Sequence, residues 1–148
     1  MTSASDNQLP DGPLLAWYGD DFTGATAVME VLSFAGLPAV LFFDMPTQEQ
    51  MLSFAGYRAI GIAGIARSKS PDWMDENLPG IYRALDDVGA PINHYKFCST
   101  LDSPETVGSI GRAADLAVPI LGGDWHPLVI GAPALKRYQA FGNLFAAV

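Results

Sequence analysis

The sequence predicts an α/β domain on a mostly parallel sheet with helices on both faces, a three-layer arrangement. Short, continuous apolar runs alternate with segments whose apolar residues recur at helical spacing, the pattern of buried strands joined by crossover helices. Polar, glycine-containing clusters fall between a strand and the next helix, where the loops of such a sheet converge. With 148 residues, 49% of them hydrophobic, the chain can bury one real core but not two full-sized ones.

Residues 1–13 form a polar leader, read as disordered, and the domain is expected to run from 14 to 148. Leu14 to Gly19 (LLAWYG) is the first buried strand. From Gly24 to Ala35, Ala25, Val28, Met29, Leu32 and Ala35 mark one helix face, and Gly36 stands where a terminating glycine belongs. Pro38 to Asp44 (PAVLFFD) and Tyr57 to Ile65 (YRAIGIAGI) give the second and third strands. Ser70-Pro71 then caps a helix that ends near Gly89 and that Pro79 is expected to break or kink. Ile92 to Cys98 fits a fourth strand. Glu105 to Val118 fits a helix with Val107, Ile110, Ala114 and Ala117 on one face, and Pro127 to Gly131 a fifth strand. Phe141 to Val148 (FGNLFAAV) starts another strand-type run and stops without turn or polar tail. That reads as a truncated frame, leaving the sheet incomplete at its C-terminal end.

Composition narrows the function. Acidic residues outnumber basic ones 16 to 8, net charge −8, and the basic residues are scattered, so a nucleic-acid surface is not expected. One cysteine and two histidines offer no metal-site spacing, and no metal is expected. Nothing resembles a secretory leader or a membrane helix, which makes the protein cytoplasmic by default. The phosphate loop G-x-x-x-x-G-K-[ST], the G-x-G-x-x-G turn and the G-x-S-x-G elbow are all missing. An adjacent Asp20-Asp21 pair, where aspartyl-phosphate enzymes separate their acids by one residue, argues against a phosphatase.

The polar clusters occupy three strand-to-helix loops: Gly19 to Gly24, Ala66 to Ser70, and Ser99 to Ser103. Asp20 and Asp21, followed by Thr23 and Gly24, put two carboxylates beside a helix N-terminus. The arrangement suits a polyhydroxylated or anionic ligand, Mg²⁺ or a general base, and equally suits plain helix capping. Arg67 could grip a carboxylate with two parallel bonds, while Lys69 reads as a solvated loop residue. Lys96 shares a strand face with His94 and Cys98 and must find an anion or the sheet edge. Ser99, Thr100, Asp102 and Ser103 crowd hydroxyls and a carboxylate into one loop. Ser103 could instead be the cap ahead of Pro104, and Gly108 and Gly111 allow close approach. Cys98, His94 and His126 read as packing or surface residues.

In this order and spacing, GDDFTGAT (19–26), ARS (66–68), YKFCSTLDS with VGSIGRA (95–113) and GAPALKRYQAFGNLFA (131–146) resemble the N-terminal domain of the four-carbon acid sugar kinases. The resemblance implies a domain that binds a sugar acid of the erythronate or threonate type. It also implies a C-terminal nucleotide-binding domain, missing here, as the partner that brings ATP and Mg²⁺; no cofactor is expected on this chain alone. It points to Asp20, Asp21, Arg67, Lys96, Ser99, Thr100, Asp102 and Ser103 as the sugar-acid site, to which Thr23 is added from its place in the first loop; Asp21 is the candidate catalytic residue, and which carboxylate, if either, is the base stays open. Arg67 and Lys96 would hold the carboxylate and the aspartates the hydroxyls. The other reading is a noncatalytic binding module or inactive remnant. Ala27 departs from the family pattern, which carries an acidic residue there.

Overall fold

The computed structural model describes residues 9–147. Four parallel strands, β1 (Leu15–Gly19), β2 (Ala39–Phe42), β3 (Ala59–Ala63) and β4 (Ile92–Lys96), form one sheet in the order β2-β3-β1-β4. Between them lie α1 (Phe22–Phe34), the short α2 (Gln48–Ser53) and α3 (Pro71–Asp86); α4 (Ile110–Leu121) follows β4.

β1 and β3 are buried on both faces, which is why they read as unbroken apolar runs. On one face Trp17 lies over Gly61, whose missing side chain makes room for the indole, and donates its Nε1–H to the Ala25 carbonyl of α1 at 3.2 Å. On the other, Ala16, Tyr18 and Ile62 pack against Met74, Leu78 and Tyr82 of α3 and Ala113 of α4. Helices therefore cover both faces, as expected. The loop after β1 leads to the α1 face, while those after β3 and β4 lead to the α3–α4 face. β1 thus lies between two strands whose connections diverge from its own, and crevices open there at the carboxyl ends.

Several expectations are corrected. Residues 1–8 of the leader lie outside the described residues; within 9–13, the Pro10 carbonyl accepts a 2.6 Å bond from Arg58. Pro79 does not break α3, because Met74, Leu78, Tyr82 and Leu85 bury one continuous face past it. The last helix starts at Ile110 rather than Glu105, with Ser109 as its cap accepting from the Arg112 amide. Pro127 to Gly131 forms no strand. The Gln139 side chain takes the Ile130 amide at 3.1 Å and donates to the Leu128 carbonyl at 3.4 Å, so that backbone is satisfied without a sheet neighbour. The terminal apolar segment instead builds an antiparallel hairpin of β5 (Arg137–Ala140) and β6 (Asn143–Ala146), turning at Phe141-Gly142. α2, capped by the reciprocal Thr47 and Gln50 pair, has no counterpart in the sequence reading.

Candidate functional site

The loop after β1 is shaped by two close approaches. α1 folds back so tightly that a Cβ at Gly19 would lie 2.5 Å from that of Ala25. Asp21, in extended backbone, caps α1 by accepting the Gly24 amide on Oδ1 at 2.8 Å. Gly24 is required beside it, since a Cβ there would sit 2.6 Å from Asp21 Oδ1 and 3.7 Å from Lys96 Nζ.

Arg67 comes from the single 3₁₀ turn after β3 (Ala66–Ser68). Its amide donates to the Asp20 carbonyl at 3.1 Å. Its fork spans both acids, Nη2 donating to Asp20 Oδ1 at 2.6 Å and Nη1 to Asp21 Oδ2 at 2.8 Å. The expected arginine grip exists, but on the chain's own carboxylates. Asp20 is buried and its side chain 4% exposed, against 30% for Asp21 and 33% for Arg67. Burial lifts the Asp20 carboxyl above its ordinary value, and Arg67 offsets part of that rise. Burial works against the Arg67 charge, yet the two carboxylates outweigh it and hold the guanidinium above its ordinary value. Nε of Arg67 is buried with no hydrogen-bond partner.

Lys96 ends β4, opposite Gly19 on β1, on the same face as His94. β4 is an edge strand, so the lysine has the sheet edge, one of its two expected destinations, and lies on the Gly24 side of the loop that carries Asp21. Its ammonium donates to the adjacent Phe97 carbonyl and forms no ion pair among the described residues. Cys98 lies just past the strand. Thr100, through its side chain and amide, pulls the thiol below its ordinary value, and the charges of Arg67 and Lys96 add to this against burial. Lys69 extends over the Trp73 ring at 5.8 Å.

The remaining expected site residues are not bonded to this cluster. Thr23 is exposed on α1. Thr100 donates to Asp102 at 2.7 Å, and Ser103 accepts the Ile110 amide at 2.9 Å, so these groups shape their own loop. Ser99 is half-buried beside them. Gly108 makes the expected close approach and Gly111 does not, its nearest neighbour atom being Ser109 Oγ at 3.9 Å. A cleft of about 360 Å³ lies nearby, bounded by Phe22, Phe43, Met45, Ile65, Trp73 and Ile81. Its walls include none of the four charged residues. It was not legible in the sequence because its rings, Tyr18, Phe22, Phe43 and Trp73, come from four separate segments.

Ala27 is the sixth residue of α1 and exposed, one turn beyond where a carboxylate meets the helix N-terminus. Ala27→Asp is therefore expected to change stability by less than about 0.5 kcal/mol. Urea unfolding checks this, and a gain above about 1 kcal/mol would mean that the charge meets a partner.

The family described as the sugar-binding N-terminal domain matches residues 15–148. The chain is 55% identical over 139 residues to a 3-oxo-isoapionate kinase of Paraburkholderia graminis, covering 94% of this chain and 30% of that protein. It is 30% identical over 136 residues to a 3-oxo-tetronate kinase of Pseudomonas fluorescens, covering 90% and 30%. A solved crystal structure from Salmonella typhimurium LT2, provisionally described as a tRNA synthase, superposes with TM-score 0.80 at 29% identity, over 91% of this chain and 32% of that one. The chain spans about 30% of the length of the curated relatives it matches.

Proposed function

The chain belongs to the sugar-binding N-terminal domain family, and from that premise we propose that residues 14–148 hold the sugar acid for an ATP-dependent sugar-acid kinase. The observation that carries the reading is the meeting of Asp20, Asp21, Arg67 and Lys96 at the carboxyl end of β1. Lys96, which has no ion-pair partner among the described residues, supplies the charge for the ligand's carboxylate. The carboxylate pair, bridged by Arg67, meets the ligand's hydroxyls through its more exposed member. Asp21 is the carboxylate a substrate hydroxyl can reach, and Asp20 acts behind it through Arg67.

Kinases work by positioning and by neutralising phosphate charge with Mg²⁺ and cations. Among the described residues no three His, Cys, Asp or Glu side chains converge. Asp20 and Asp21 already share Arg67. An arginine spanning both carboxylates favours the acceptor substrate as the occupant of this site. Residues 1–148 alone are therefore expected to give no sugar-acid-dependent ADP formation in a coupled assay. Turnover by this stretch would make it an enzyme in its own right.

The first ligand to try is 3-oxo-isoapionate, on which the 55% identical relative acts by name; 3-oxo-tetronate and threonate follow. Calorimetric titration should show a single site for one of these acids. If none of the three binds to the folded chain, the reading falls.

A further inference from the structure

Three strand-to-helix loops have to be held in register for the charged cluster to exist, and ion pairs fix only two of them. The third, residues 97–109 after β4, carries Cys98 and the Thr100–Asp102 pair. It folds on itself: the Leu101 amide returns to the Cys98 carbonyl at 3.1 Å, with Leu101 in the left-handed region at φ +56. Its far end meets the Arg67 turn at Gly108. The Gly108 amide donates to the Lys69 carbonyl at 2.8 Å. The φ of Gly108 is +64, and a Cβ there would lie 2.4 Å from the Arg67 carbonyl oxygen and 3.1 Å from its carbon. The turn is thereby held from both sides, the Arg67 amide by the Asp20 carbonyl of the first loop and the Lys69 carbonyl by the Gly108 amide of the third.

We propose that Gly108 is a positioning residue of the sugar-acid site, a contact without a side chain that sets where the Arg67 fork meets Asp20 and Asp21 and seats the 97–109 loop beside them. Any Cβ at this position pushes against backbone, which unlike a flexible side-chain end cannot swing aside. The displaced turn carries Arg67 away from both aspartates and from Cys98. The link to ligand binding rests on the function proposed above; the link to Arg67 does not.

Gly108→Ala tests this against Gly89→Ala, which has the same left-handed backbone penalty at φ +69 but an open Cβ position. Two measurements are made on each: calorimetric affinity for 3-oxo-isoapionate, and the pH profile of Cys98 alkylation by iodoacetamide. A fold-stability effect alone would leave the thiol profile of the folded variant unmoved. The expected result is affinity at least about tenfold weaker in Gly108→Ala, with the thiol profile shifted from that of the unaltered chain, because Thr100 of the 97–109 loop and Arg67 of the turn both lower the Cys98 thiol. Gly89→Ala should match the unaltered chain in both. An unchanged thiol profile in folded Gly108→Ala overturns the proposal. If no acid binds even the unaltered chain, the functional reading falls while the thiol profile still decides the role of Gly108. Should Gly108→Ala not fold, Arg67→Lys, which keeps a charge on Asp20, replaces it. Hydrogen exchange at the Gly108 amide should then quicken by about threefold or more relative to that at Gly89. An equal response at the two amides would overturn the coupling.

Discussion

Arg67→Ala is expected to lower stability by about 2–3 kcal/mol at neutral pH, because it leaves the buried Asp20 carboxylate without its partner. The partial exposure of Arg67 keeps the loss at the lower end of what breaking a buried pair costs. Asp20→Asn in the same background should recover half of it or more, since a neutral amide has no charge to strand. Burial already lifts the Asp20 carboxyl above its ordinary 3.8 in the folded chain. Between 3.8 and that raised value the fold binds more protons than the unfolded chain, so stability from this group falls as pH rises. Removing Arg67 removes the main opposing influence and raises the folded value further. The deficit of Arg67→Ala is thus fully developed once Asp20 is ionised and shrinks as acid protonates it. Urea unfolding at pH 7 and pH 5 measures the trend. A deficit that stays constant or grows toward acid would show that Asp20 is not the stranded charge.

The parallel sheet is legible because a strand covered on both faces must be apolar throughout, and LAWYG and AIGIA are. PLVIG at 127–131 has the same composition, but a strand also needs a neighbour's backbone. Here the Gln139 amide group supplies the bonds instead, a contact across the chain that local composition does not encode. Pro79 failed as a helix breaker for a related reason: one lost hydrogen bond weighs less than the buried face through Met74, Leu78, Tyr82 and Leu85. α2 carried a readable T-x-x-Q capping signature, yet it buries no residue and so has no apolar period to confirm it. The site shows the same division. That Asp20, Asp21, Arg67 and Lys96 sit at strand ends follows from the alternation of elements alone. That Arg67 turns inward to its own aspartates, 46 and 47 residues away, depends on β1 and β3 being neighbours in the sheet. Strand order was not readable from the pattern, so the reading could not decide between an arginine held open for ligand and one already paired.

That pairing moves the weight of ligand recognition onto Lys96. Lys96→Met keeps the aliphatic stem that lies against Gly24 and removes only the ammonium, whose single recorded bond is to the adjacent Phe97 carbonyl. With no ion pair broken, stability should change by less than about 0.5 kcal/mol. Sugar-acid affinity should fall by about 1.5–3 kcal/mol, the worth of a charge-assisted hydrogen bond, or roughly 10- to 150-fold. The contrast separates recognition from structure, because a lysine that merely supported the loop would show the opposite pattern. A neutral polyol of the same carbon number adds a second control. It presents hydroxyls to Asp21 but no carboxylate to Lys96, so its weaker binding should be nearly the same in the variant and the unaltered chain. The salt dependence of acid binding should also flatten in Lys96→Met, since a screened attraction has been removed. If the acid binds Lys96→Met as tightly as before, the carboxylate is held elsewhere. The Nε of Arg67, without a partner among the described residues, is then the remaining donor at hand, and because it is buried the side chain would have to shift to present it.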